Sequence, residues 1–142
     1  INLFGRVSNV NVQSRRVASP IDVDDSTLVR MNFENGCTGH LTTLSATNTL
    51  WRISAYCLGG WVEIRDQDKI EISSIADGTS QRTYPGFDYP AMATIQAALE
   101  SFGRDVAGGD CFPVSPGEIE HSTNVLAAII QSANSGETVE IG

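Results

Sequence analysis

Apolar and polar residues alternate along much of the first half of the chain, then recur every three or four positions along the second. Val29, Met31 and Phe33 alternate with Arg30 and Asn32. Further on, Trp51, Ile53, Ala55 and Cys57 alternate with Arg52, Ser54 and Tyr56. A period of two gives each strand one buried and one wetter face. The stretch from Leu28 to Ile64 therefore predicts strands over Leu28 to Phe33, Cys37 to Ala46, Trp51 to Leu58 and Trp61 to Ile64. Asn35-Gly36 and Gly59-Gly60 are expected to supply the positive φ angles of tight turns between them. Such short links make sequential strands antiparallel neighbours, so the stretch predicts a meander.

The flanks extend this pattern. Ile1 to Phe4 before Gly5 reads as the tail of a helix ending at a glycine. Val7 to Val17 predicts a long, rather polar strand, broken by Ala18-Ser19-Pro20. Lys69 to Ser73 alternates as a further strand, Asp77-Gly78 marks a turn, and Thr79 to Tyr89 reads as an irregular loop carrying Tyr84, Phe87 and Asp88.

The period then changes. Met92, Ile95, Leu99, Phe102 and Val106 predict an amphipathic helix over Ala91 to Ala107, closed by Gly108-Gly109. In Ser115-Pro116-Gly117-Glu118, Ser115 is placed as N-cap, Pro116 at the first helical position, and Glu118 to complete a capping box. The second helix then shows an apolar face of Ile119, Leu126, Ile129, Ile130 and Ala133 and ends at Gly136. Thr138 to Ile141 predicts a short last strand.

Two helices with about ten large apolar side chains need cover, at roughly 1.5–3 kcal/mol for each one buried. The predicted class is therefore α+β: an open, mostly antiparallel β-sheet with two helices packed on one face. The other face is left exposed, with residues such as Arg30, Asn32, Thr42, Arg52, Ser54 and Tyr56. A flat face of that mixed polar and aromatic character could simply be wet or be a partner interface, and long strands without heavy charge favour partner contact.

Bulk composition narrows the partners. The chain has 142 residues, which predicts a single domain over 1–142, and a net charge of −8. With its few cations scattered, nucleic acid and anionic membrane surfaces are not expected partners. The longest apolar run, Val125 to Ile130, is too short to span a bilayer. Cys37, Cys57 and Cys111 are expected as reduced, mostly buried thiols of a cytoplasmic protein. The chain opens on Ile1 rather than Met, so it is expected to be a piece of a longer protein, and any targeting signal ahead of Ile1 is out of view.

Chemistry-bearing motifs are sparse. Asp22, Asp24 and Asp25 lack the ligand spacing of a calcium loop and are expected in a solvated loop. His40, in a strand, and His121, on a helix, are expected to be structural or surface-placed, and no metal site is predicted. Glu118 and Glu120 suit the start of a helix. No G-x-G-x-x-G, P-loop or G-x-S-x-G pattern occurs, so no dinucleotide-binding unit is predicted within the chain.

Three stretches carry a resemblance. They are Phe33-Glu34-Asn35-Gly36-Cys37-Thr38-Gly39; Tyr56-Cys57-Leu58-Gly59-Gly60-Trp61-Val62-Glu63-Ile64; and Leu99-Glu100-Ser101-Phe102 through Phe112-Pro113-Val114-Ser115 to Ser132-Ala133-Asn134-Ser135-Gly136 and Val139-Glu140-Ile141. In this order the chain resembles the C-terminal domain of the glucose–fructose oxidoreductase/inositol dehydrogenase family, over nearly its whole length.

The resemblance implies a parent oxidoreductase that transfers a hydride between NAD or NADP and a sugar, polyol or related hydroxy compound. It places the N-terminal dinucleotide-binding domain, a lysine in an E-K-P motif and an aspartate/histidine acid–base pair outside this sequence. The fragment alone is thus expected to bind no cofactor and to be inactive, with no catalytic residue of its own. It implies that Asn48, Trp51 and Arg52, with Tyr84 and Asp88 as weaker candidates, approach the substrate pocket: an indole for a sugar face, an amide and a guanidinium for hydroxyls or a carboxylate. It also implies assembly into a homo-oligomer, a dimer or tetramer, through the open sheet face, in agreement with the partner contact expected there. The alternative is a freestanding, non-catalytic binding or interaction module.

Overall fold

The computed structural model describes residues 3–66, 68–84 and 90–142, apart from the side chains of residues 90 and 91. In chain order the elements are β1 (Val7–Arg15), β2 (Ser26–Phe33), β3 (Thr38–Leu44), β4 (Arg52–Cys57), β5 (Gly60–Arg65), β6 (Lys69–Ser74), β7 (Gly78–Thr83), α1 (Pro90–Val106), α2 (Pro116–Ser135) and β8 (Val139–Glu140). The class is α+β with antiparallel pairing throughout. The strands form two open sheets, in the orders β3-β2-β1-β8 and β4-β5-β6-β7. The predicted meander thus divides between β3 and β4. The chain falls into two compact units, Ile1–Thr47 with Pro113–Gly142, and Asn48–Phe112.

In the first unit, cross-strand pairs place Val10 beside Met31 and Val12 beside Val29 on one face. Val125 and Ala128 of α2 join Val7, Val10, Val12, Val29 and Phe33 in the core, ringed by Phe4, Met31, Ile129, Val139 and Ile141. The opposite face carries Asn9, Asn11, Arg30, Asn32, His40 and Thr42, as the alternation of the strands requires.

Helix α2 starts as expected. The Ser115 side chain accepts from the Glu118 amide, and Glu118 accepts from the Ser115 amide. It ends at Gly136, whose φ of 74° permits the left-handed closure. The β2–β3 turn differs in detail. Only Gly36 has a positive φ, while Asn35 keeps an ordinary backbone, accepts from the Cys37 amide and donates to the Phe4 carbonyl. Gly36 donates to the Phe33 carbonyl at 3.0 Å, which makes a three-residue loop rather than a two-residue one.

The second unit holds the β4–β7 sheet and α1. Pairing puts Ile53, Ala55, Val62, Ile64, Ile70 and Ile72 on one face of the β4–β7 sheet. Of these only Ala55 is buried, and Ile53 and Ile72 are exposed. Gly60 has a φ of 149°, and a Cβ there would meet the Ser73 carbonyl oxygen at 1.9 Å.

Several expectations need correction. Thr79 to Thr83 is not loop but strand β7, paired to β6. The apolar stripe of α1, predicted to lie on a sheet, is exposed at Met92, Ile95, Leu99, Phe102 and Val106. Cys37, Cys57 and Cys111 are free but exposed, not buried. Asp25 is not solvated: it is 5% exposed and turned inward. Leu3 and Phe4 form a turn before Gly5, and Ile1, Asn2, Phe87 and Asp88 lie outside the described residues.

Candidate functional site

The face of the β4–β7 sheet opposite its isoleucines is chemically rich. Arg52 pairs with Arg65, Ser54 with Glu63, and Tyr56 with Trp61. Glu63 in turn pairs with Glu71, and Glu71 with Gln81. Alternation therefore brings five charged or aromatic side chains of β4 and β5, with Ser54, onto one surface. Glu63 is its centre, with a side chain only 16% exposed. It accepts from Arg65 Nη2 at 2.5 Å and from Ser54 Oγ at 3.0 Å, and Arg52 Nε lies 3.9 Å away. The Arg65 hydrogen bond, opposed by desolvation and helped by Ser54, holds the Glu63 carboxyl below its ordinary range. Arg65 is raised by the same bond.

Next to this cluster, Lys69 Nζ meets Asp66 Oδ2 at 3.0 Å, and that bond raises the ammonium's pKa. Glu63, Arg65, Asp66, Lys69, Glu71 and Gln81 line an open polar cavity of about 310 Å³. Alternating cations and carboxylates of this kind suit polar, hydroxyl-bearing contacts better than a single strong anion or cation. The cluster was not singled out from the sequence, because only strand register unites three strands' charges. A sequence signal does exist: Glu63-Ile64-Arg65 and Lys69-Ile70-Glu71 each put two charges on one strand face.

Trp51, Arg52 and Tyr84 come to one end of this sheet. The Trp51 carbonyl accepts from the Asp66 amide, Arg52 opens β4, and the Tyr84 amide donates to the Asp68 carbonyl just after β7. Trp51 and Tyr84 sit at opposite edges of four strands, so three spacings of about 4.8 Å separate them by roughly 14 Å. Trp51 is 39% and Tyr84 43% exposed. Asn48 is exposed, and its side-chain oxygen accepts from the Thr49 amide. None of the four lines the cavity beside Glu63.

The opening turn of α2 is occupied by the carboxylate of Glu118. Among the described residues no three His, Cys, Asp or Glu side chains gather as a metal needs, and no helix is long and apolar enough to cross a membrane.

No protein-family model matches the chain, and no curated protein does. Solved structures share its fold. An oxidoreductase from Agrobacterium radiobacter in complex with NAD+, L-tartaric acid and magnesium matches with a TM-score of 0.80 at 18% identity, over 98% of this chain and 44% of that one. Levoglucosan dehydrogenase in complex with NADH and levoglucosan matches with a TM-score of 0.74 at 20% identity, over 96% and 45%. The WlbA dehydrogenase from Bordetella pertussis, in complex with NADH and UDP-GlcNAcA, matches with a TM-score of 0.70 at 16% identity, over 99% and 43%. The chain thus has the fold of a part of NAD-binding oxidoreductases and spans under half the length of each.

Proposed function

We propose that residues 1–142 are the substrate-side and assembly domain of an NAD(P)-dependent oxidoreductase of the glucose–fructose oxidoreductase/inositol dehydrogenase family. Its substrate is a sugar, polyol or related hydroxy compound. The observation that carries this reading is the match over 98% of the chain to an oxidoreductase holding NAD+ and a hydroxy acid. The ordered motifs around Gly36, Gly59-Gly60 and Ser115 support it independently. NAD or NADP binds a domain encoded ahead of Ile1, which also supplies the catalytic lysine and the acid–base pair.

In this reading Asn48, Trp51, Arg52 and Tyr84 form part of the substrate wall. Trp51 and Tyr84 offer partly exposed rings at one sheet end, suited to the apolar faces of a sugar. Arg52 is half exposed and only loosely tied to Glu63, so its guanidinium can turn toward a substrate oxygen. The polar sheet face is the contact between subunits, and the protein works in the cytoplasm.

The test is expression of the chain together with the residues encoded ahead of Ile1. That protein is expected to reduce NAD+ or NADP+ with a sugar, polyol or hydroxy acid from a panel. The isolated chain is expected to show no saturable NADH binding by calorimetry. Micromolar NADH binding by the isolated chain, or a reading frame that begins at Ile1 with its own start, would overturn the assignment in favour of a freestanding interaction module.

A further inference from the structure

His121 occupies the buried side of α2 and is 2% exposed. Its Nε2 accepts a hydrogen bond from the Val7 amide of β1 at 2.9 Å. Its Nδ1 is buried too, with no hydrogen-bond partner among the described residues. A ring nitrogen that accepts carries no proton, so the ring is neutral with its hydrogen on Nδ1. We propose that this bond is a pH-sensitive latch between α2 and the start of β1. A proton added at Nε2 sets an N–H against the Val7 N–H, breaks the bond and leaves a cation in the core. Mild acid then releases the N-terminal part of α2 from the sheet.

The surroundings favour the neutral ring. Burial is the main force lowering its proton affinity, and the cationic Arg6, just ahead of Val7, adds to it. Glu34, in the turn between β2 and β3, works the other way but is tied to Arg6 at 3.4 Å. On α2 itself, Glu118 lies one turn earlier and is engaged with Ser115. The sign follows from linkage: with the folded affinity lowered, the unfolded chain takes up the proton first. The latch's contribution is full above the unfolded pKa of about 6.5 and is lost as pH falls below it. The carboxylates that titrate abnormally act only below about pH 4.5, so the windows are separate.

The test compares the full chain with His121→Gln, whose amide oxygen can accept from Val7 but cannot titrate. Denaturant unfolding is measured from pH 8 to pH 5. The unfolding constant of the unaltered chain is expected to rise by up to about tenfold per pH unit below 6.5, and that of the variant to stay flat. The NMR titration of the ring reads the same claim without a variant. His121 is expected as the Nδ1–H tautomer, titrating below the ordinary imidazole value of about 6.5. Equal slopes in the two proteins, or a His121 titration at or above the ordinary imidazole value, would overturn the latch. Should His121→Gln not fold, the NMR titration decides alone.

Discussion

The Ser132 hydroxyl accepts from the Val12 amide at 3.0 Å and donates to the Glu137 carbonyl at 2.5 Å. The side chain is wholly buried. This bond and the His121–Val7 bond sit on either side of the short β8 pairing, which engages β1 at Asn9 and Val10 and is extended by the Ile141 amide donating to the Ser8 carbonyl at 2.8 Å. Where β8 stops, β1 would present bare amides to the interior, and α2 supplies acceptors from its own side chains. Replacing Ser132 with Ala strands the Val12 N–H and the Glu137 carbonyl. The expected cost is about 1–3 kcal/mol in denaturant unfolding, with the midpoint moved and the slope unchanged.

Asp25 organises the segment between β1 and β2 by the same logic. Its carboxylate accepts from the amides of Val17, Ala18 and Ser19 at 2.8, 2.7 and 2.5 Å. The Val17 bond, then the Ala18 bond, hold its pKa below the ordinary range against desolvation. A carboxyl whose folded pKa is lowered contributes stability that is complete above its unfolded pKa and is lost as pH falls through the folded one. Asp25→Asn is therefore expected to lower stability at neutral pH and to flatten the loss below about pH 4. Protease cleavage between Arg16 and Asp24 should rise in the same variant. Unaltered acid sensitivity in the variant would contradict this role.

Gly60 opens β5 against Ser74. Because a Cβ there would overlap the Ser73 carbonyl and the φ lies outside the range that side chains favour, Gly60→Ala has two penalties. The expected loss is at least about 1–3 kcal/mol. It should appear as faster amide exchange along β5 and β6 before any change in β1 and β2, since the two pairs belong to different sheets.

What was legible in the sequence follows from how local its cause is. The ends of α2 are set by Ser115, Glu118 and Gly136, each acting within one turn of itself, and all three sit where the pattern put them. The faces of β1, β2 and β4 follow from alternation. Strand β7 was illegible because Gly78 to Thr83 carries no apolar alternation and every residue is exposed; pairing with β6 makes it a strand. Asp25 read as solvated because three amides turned toward it depend on a loop path no spacing reveals. The stripe of α1 was legible as a stripe, but periodicity says nothing about what covers it. The cluster around Glu63 depends on register, which unites residues two strands apart.

The polar face of the β4–β7 sheet makes the last prediction. Tyr56 is 77% exposed there and stands beside Trp61, with the Ser54/Glu63 pair next along the strands and the Arg52/Arg65 pair beyond it. Aromatic and arginine side chains on a flat surface are the usual anchors of a subunit contact. If this face joins two copies, Tyr56→Asp should weaken self-association at least tenfold, about 1.4 kcal/mol, in sedimentation velocity. Added salt should weaken it further, because the Arg52–Glu63–Arg65 charges lie in the same plane. Leu99→Glu, on the exposed stripe of α1, is the control. Loss of association in Leu99→Glu but not in Tyr56→Asp would move the contact from the polar sheet face to the apolar helix.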